Sequence, residues 1–437
     1  MRLHQRKLCQ IIALLVSGAG ASAATAAGPV VQGGGSSLVA PIIGSIYNPA
    51  TEIGLFGTTK GTFAYFPVGP GYGQGAFLWN KSSFFGAGVT GAVHFANSEA
   101  PLSTFQITRY AADLGATSGP LIQIPYIVTP ITVPVVNGPA VTSTTTPQTT
   151  PNQAHSIALN DDDLCGVFSG KLTNWDQVVN PETGSAYALY APIKVIYRAD
   201  GSGTTELLTR HLAAVCTTGN TAAGVFFVDS LTFANTTAFP GGVPLNFVAA
   251  DSDGGVRNAL ASFSNAGAAA VAYLSPSYTN SYLAPSSTVV TAAGALQLPV
   301  ASLVNGTRYY APTYANASAA IASVASARAP GTKRAASNPA NWVPNVGKPT
   351  SGYPISGTSQ IILSQCYQDP AVKIAIHDFL NTHYTNASFA SIVHGNGFDT
   401  VPPNYQSAIA SNFLSNASGF NLDIGNTSVC TGTVTGR

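Results

Sequence analysis

The stretch Ile193 to Leu212, IKVIYRADGSGTTELLTRHL, carries three successive signals. Ile193, Val195 and Ile196 form a short β-branched run that ends in Arg198. Ala199-Asp200-Gly201-Ser202-Gly203 then makes a tight turn. Leu207, Leu208, His211, Leu212 and Val215 follow at helical spacing. Strand, Gly/Ser turn and helix N-terminus together suit an anion. The first amides of a helix have no internal acceptor, and the helix dipole places positive potential on them. Gly201 and Gly203 remove side chains that would keep an oxyanion off the backbone. Ser202 and Thr204 add hydroxyl donors, and Arg198 offers a planar charged fork. An ordinary strand-to-helix turn with Ser202 as N-cap accounts for the same residues, and the stretch alone leaves the two readings level.

Composition bounds the class. Arg2, Arg6 and Lys7, the apolar run Leu8 to Val16 and the small residues Ala21-Ser22-Ala23 read as a secretory signal over residues 1–23. Cleavage before Ala24 is expected, with Ala24-Thr25-Ala26 as a second site. The apolar run is too short to span a bilayer. Cys9 lies inside the signal and no cysteine follows the apolar core, which argues against a lipid anchor. A soluble, periplasmic or extracellular protein without membrane insertion is expected. Three of the 18 Lys+Arg sit in the signal, against 17 Asp+Glu overall, so the mature charge is close to −2. Only 8% of residues are charged. Such a chain has no broad basic face, which argues against nucleic acid as a partner.

Four cysteines remain after the signal: Cys165, Cys216, Cys366 and Cys430. An even number in an oxidising compartment predicts two disulfides, and proximity favours Cys165–Cys216 and Cys366–Cys430 among the three pairings. A metal site is the weaker reading, because neither C-x-x-C nor H-E-x-x-H occurs. No cofactor is called for. A mature chain of about 410 residues exceeds one ordinary core, so two domains are expected. Strand-like runs alternating with helical ones predict α/β architecture.

Other loops repeat the logic of the first. Val31 to Pro41, VQGGGSSLVAP, runs from a strand through small residues to a helix near Ala40. Phe63 to Phe77, FAYFPVGPGYGQGAF, reads as a strand and a glycine-rich loop, with the next helix from Leu78. Val93 to Ser103, VHFANSEAPLS, ends a short strand at Ser98-Glu99. A carboxylate among anion donors is sensible if the ligand still carries a proton, since an ionised carboxylate only accepts hydrogen bonds. Capping of a helix near Pro101 is the competing role for Glu99. Ile122 to Val136, with its repeated prolines, reads as edge or crossover strand, and Asn137 to Ala154 as an exposed, loosely ordered loop. Leu159 to Val178 reads as a capped helix, a turn at Gly170-Lys171 and a short helix near Trp175. Asp251 to Gly255 opens a helix near Val256, and Ala270 to Leu274 is a returning strand. Tyr353 to Leu363 is a strand, Asp369 to Tyr384 a helix, and a polar tail carries Cys430.

Taken in order, Gly33-Gly34-Gly35-Ser36-Ser37-Leu38-Val39-Ala40-Pro41, Ala96-Asn97-Ser98-Glu99-Ala100-Pro101-Leu102, Gly170-Lys171 with Trp175-Asp176, Arg198-Ala199-Asp200-Gly201-Ser202-Gly203-Thr204, Asp253-Gly254 and Tyr353-Pro354-Ile355 resemble one family. It is the PstS-like phosphate-binding proteins of bacterial ABC-type phosphate uptake, including the secreted DING branch. The resemblance implies a two-lobe, type II periplasmic-binding-protein fold. Residues 28–128 and 272–410 would form one lobe, 129–271 the other, and 411–437 a tail tied by a disulfide. It also implies that Ser37, the Leu38 amide, Arg198, Ser202, Gly203 and Thr204 donate to inorganic phosphate, that Asp200 holds the Arg198 fork, and that Glu99 accepts the phosphate proton where the family has Asp. The family's second-loop Ser is replaced by Pro70, which lacks both hydroxyl and N–H, so the amides of Gly71 or Tyr72, or the Tyr72 hydroxyl, would substitute.

The function implied is capture of phosphate by a monomeric binding protein, with the membrane component of an ABC transporter as a further partner. Two other classes stay open. One is an extracellular alkaline phosphatase-like enzyme on the same scaffold, for which the sequence offers no G-x-S-x-G elbow and no metal-spaced histidines. The other is a surface interaction protein that has lost its ligand.

Overall fold

Two sheets draw their strands from the runs that the periodicity marks. A computed structural model describes residues 28–279, 282–292, 297–324 and 327–437. The expected signal at 1–23 lies outside them. The larger sheet has six strands in the order Asp399–Thr400, Leu121–Pro130, Ser356–Ser364, Phe95–Ser98, Val30–Gly35, Thr62–Phe66. Val30–Gly35 is parallel to both of its neighbours, and Ser356–Ser364 is antiparallel to both of its own. The smaller sheet runs Phe247–Ala250, Lys194–Arg198, Ala270–Ala272, Val135–Val136, with Lys194–Arg198 parallel to the strands flanking it. Leu121–Pro130 and Ser356–Ser364 are buried at every position, as expected of strands covered on both faces by other layers.

This arrangement puts the candidate loops in one kind of place. Gly35, Phe66, Ser98, Arg198 and Ala250 each end a strand that takes part in parallel pairing. The loops that follow are carboxyl-end loops, where open α/β sheets bind ligands. Between the sheets the chain is tied to itself: Thr132 and Leu274 exchange both backbone hydrogen bonds, at 2.9 and 3.0 Å. Residues 302–310, expected with the first lobe, pair through Ser302–Asn305 with Ala158–Leu159.

Several local expectations change. The glycine-rich segment after Thr62–Phe66 is not a loop but the helix Pro70–Leu78, and Leu78 ends that helix. Pro70 opens it with a preset φ, and Gly69 before it sits at φ 94°. A Cβ on Gly73 would come within 2.4 Å of the Gly35 Cα. Close packing on the strand end therefore overrides the poor helix propensity of glycine.

Of the stretch Ile122 to Val136, read as edge or crossover strand, Leu121–Pro130 is an inner strand, whereas residues 131–136 cross to the smaller sheet and end there as its edge strand Val135–Val136. In the inner strand Pro125 is accommodated because the register shifts there: Ile127 faces Ser359 and Pro125 faces Gln360, leaving Tyr126 as the extra residue of a bulge. Asn137 to Ala154 has no regular structure, yet it is pinned rather than loose. Thr146, Thr149 and Thr150 are buried, the Thr146 hydroxyl donates to Ser156 O at 2.6 Å, and the Thr149 hydroxyl donates to Val300 O. The helix expected near Val256 begins four residues earlier, as Ser252–Asn265.

The segment 159–178 matches its reading closely. Asn160 and Asp163 form a reciprocal capping box on helix Asp161–Ser169, and Gly170 ends it in the left-handed conformation at φ 79°. Both expected disulfides form, Cys165–Cys216 and Cys366–Cys430. Cys216 is the C-cap of helix Gly203–Val215, whose first turn is the Ser202-Gly203-Thr204 loop. The bond therefore anchors the far end of that helix to Asp161–Ser169. Closing a loop with a sequence separation of 51 restricts the unfolded chain by about 2–4 kcal/mol. Replacing Cys165 and Cys216 together by Ser is expected to lower unfolding free energy by about that amount in urea titrations, with the m-value rising as the unfolded chain expands.

Candidate functional site

Arg198 ends an inner strand of the smaller sheet, and its side chain is fully buried. A buried guanidinium must be paired. Asp200, two residues on, accepts from Nε at 2.7 Å and Nη2 at 2.5 Å. Asp253 Oδ2 accepts from Nη1 at 2.7 Å, and Nη2 reaches the Ser37 hydroxyl at 3.3 Å. Burial works against the charge on Arg198, but Asp253 and Asp200 outweigh it and hold the guanidinium above its ordinary value. Burial would raise Asp200, yet the bonds and charge of Arg198 keep its carboxyl below the usual range. Asp200 also accepts the Ser252 amide at 3.0 Å, which fixes the fork further.

The Ser37 hydroxyl donates to Asp253 Oδ2 at 3.0 Å, and the Thr204 hydroxyl reaches Asp253 Oδ1 at 3.4 Å. Thus Ser37 from the larger sheet, with Arg198 and Thr204 from the smaller one, converge on a single carboxylate. The remaining expected residues divide. Ser202 is the N-cap, its hydroxyl oxygen accepting from the Thr205 amide at 3.4 Å, while its own amide donates to Leu231 O at 2.9 Å. Gly203 and Thr204 are the first two residues of the helix. The Leu38 amide donates to the Ser36 hydroxyl at 3.1 Å. Gly71 and Tyr72 lie in the first turn of Pro70–Leu78. The Tyr72 side chain, 61% exposed, departs from the cluster and leans toward Phe84, with ring centroids 6.0 Å apart. The Tyr72 hydroxyl makes no hydrogen bond with Ser37, Arg198 or Thr204 among the described residues.

Glu99 follows the strand Phe95–Ser98 and is completely buried. It does not cap the next helix; Ser103 does, in a capping box with Gln106. Its Oε1 accepts the hydroxyls of Ser36 at 2.5 Å and Ser359 at 2.7 Å. Its Oε2 is buried and has no partner among the described residues. Gly203 lies directly against it: a Cβ on Gly203 would stand 1.7 Å from Oε2. Burial pushes the Glu99 carboxyl up, the two serine bonds pull it back only in part, and the Asp253 charge adds to the rise. Tyr65 donates to Ser36 O at 2.7 Å, and burial, then the Glu99 charge, raises its phenol. On the outer side, a Cβ on Gly69 would be 3.0 Å from Gly201 O, so the two sets of loops touch there.

The sequence missed three contributors. Ser36 and Asp253 stood in the quoted motifs, Ser36 in a small-residue turn and Asp253 at a helix start, but neither was given a role at the site. Ser359 sits mid-strand with no local signal at all. Among the described residues no His, Cys, Asp and Glu group is placed to hold a metal ion, and no helix is long and apolar enough to cross a membrane.

The PBP superfamily domain matches residues 20–381. The chain belongs to that superfamily, in the phosphate-binding branch that includes the DING proteins. As a PBP-superfamily protein it has the two-lobe α/β fold of its relatives. It is 34% identical over 401 residues to alkaline phosphatase L of Pseudomonas aeruginosa, covering 92% of each chain. It is 36% identical over 389 residues to a phosphate-binding protein of an unknown prokaryotic organism, covering 86% of this chain and 93% of that one. Its fold matches the high-affinity periplasmic phosphate-binding protein PfluDING bound with phosphate, with a TM-score of 0.72 at 34% identity, over 93% of this chain and 99% of the other.

Two tests follow from the Glu99 environment. The folded carboxyl binds its proton more tightly than the unfolded one, so its contribution to stability is present below the ordinary carboxyl range and lost as pH rises through the folded value. Glu99→Gln is therefore expected to melt above wild type at pH 8, with the gap closing near pH 4. A melting temperature for Glu99→Gln below wild type at pH 8 contradicts this account. Gly203→Ala must expel Glu99 from its place and is expected to lower the melting temperature at every pH.

Proposed function

We propose that this protein captures inorganic phosphate between its two lobes, divided as 28–128 with 272–410 against 129–271, except that the 302–310 hairpin goes with Ala158–Leu159, and with 411–437 as a tied tail. The observation that carries the reading is the convergence of Ser37, Arg198 and Thr204 on one anionic group, next to a buried Glu99 oxygen that has no partner among the described residues. Ser37, Arg198, the Ser202 and Thr204 hydroxyls and the amides of Leu38, Gly71, Tyr72, Gly203 and Thr204 are the donors. Asp200 holds the arginine fork. Glu99 Oε2 accepts the proton that phosphate retains and sulfate lacks, so an unpaired acceptor facing a sulfate oxygen disfavours that ion. The periplasmic DING relative supports export to the periplasm or exterior; action as a monomer and delivery to an ABC transporter membrane component belong to the same proposal.

A second reading, hydrolysis of phosphate monoesters, is favoured by the alkaline phosphatase L relatives. Calorimetric titration with phosphate and sulfate, beside steady-state assay of p-nitrophenyl phosphate, separates the two. Saturable phosphate binding that sulfate does not displace, without turnover, is the expected result. Turnover that survives purification and is lost in Arg198→Ala favours the enzyme, and failure to bind any oxyanion favours a surface protein without ligand. Arg198→Lys replaces a planar fork by a point charge and is expected to weaken phosphate by about tenfold to a hundredfold.

A further inference from the structure

We infer that Asp253 is an internal ligand of the anion site, so that phosphate enters by displacing its carboxylate. The inference rests on the capture reading and adds to it a residue that sets the affinity. Asp253 is fully buried at its side chain and takes Arg198 Nη1, the Ser37 hydroxyl and the Thr204 hydroxyl. These are the donors the phosphate would use. A carboxylate and a phosphate oxygen are both acceptor-only toward them, and both are negative, so one replaces the other.

Charge makes the exclusion firmer. Arg198 is the cation bonded within this cluster, while Asp200 and Asp253 pair with it and Glu99 lies close enough for Asp253 to raise its carboxyl. Asp200 and Asp253 each accept three hydrogen bonds, but those of Asp200 come from Nε, Nη2 and the Ser252 amide and none from the Ser37 or Thr204 hydroxyls, so a ligand taking those hydroxyls leaves Asp200 in place. Asp253 is the acid that can leave. It sits in the first turn of helix Ser252–Asn265, directly after Ser252, whose φ of 62° is left-handed and strained for a residue with a side chain. Gly254 and Gly255 follow, and a Cβ on either would meet nothing closer than 3.6 Å. The turn that delivers Asp253 is therefore strained on one side, and on the other Gly254 and Gly255 carry no side chain that must repack.

An internal ligand lowers apparent affinity by the fraction of time the site is open. A contact made about nine-tenths of the time weakens phosphate about tenfold. The test is calorimetric titration of inorganic phosphate into the wild-type chain, Asp253→Asn and Asp253→Ser, with circular dichroism melts to establish that each variant is folded. Both variants are expected to bind about tenfold tighter than wild type or better. Binding by the variants alone, with wild type silent, supports the inference in its strongest form. If wild type binds and neither folded variant binds more tightly, Asp253 assists the ligand, for instance by accepting a second phosphate proton, and the inference is overturned while capture stands. If none of the three binds, both fall together.

Discussion

A buried guanidinium is the constraint on which the cleft depends. Removing Arg198 from water without partners would be prohibitive, so the fold must bring carboxylates to it from wherever it can. One comes from the same loop, two residues away, and fixes the fork locally. The other comes from a different helix, and through it the arginine becomes linked to a hydroxyl of the opposite sheet. The result is a polar cluster spanning two halves of the molecule, enclosed enough that each hydrogen bond counts for more than it would in water. The same enclosure leaves Glu99 with one oxygen satisfied twice and the other, among the described residues, not at all. An unsatisfied buried acceptor is costly to stability, and its persistence marks a place shaped for something other than folding.

The scarcity of charge elsewhere sharpens this picture. With 8% charged residues, the protein exerts little long-range field on a passing anion. Discrimination is confined to contact distance, where the number and direction of donors decide. That suits a ligand whose competitors share its size and differ chiefly in whether they carry a proton.

Much of this was legible in the sequence where local chemistry and tertiary packing agree. The Arg198 to Thr204 turn, the capping box at Asn160 and both disulfides follow from residue types at fixed offsets. The chemistry was less legible where distant residues complete a group. Ser359 joins Glu99 across 260 positions, and nothing in the small and polar run SGTSQ that opens its strand announces that. Helix Pro70–Leu78 was misread because three glycines normally oppose a helix, whereas here one of them allows backbone to lie on backbone. The inner strand Leu121–Pro130 was misread for a related reason: its proline, which should break a ladder, falls beside a bulge that needs no bond from it. In both cases the local rule is sound and a neighbour distant in sequence removes its premise.

The reciprocal bond pair between Thr132 and Leu274 has a mechanical meaning. Two chain segments that cross side by side and are stitched together form a ribbon, not a pair of independent strings. A ribbon bends readily about one axis and resists shear along its length, because sliding would break both bonds at once. The ribbon thereby holds the two halves in the register at which Ser37 meets Asp253 and Glu99 lies against Gly203.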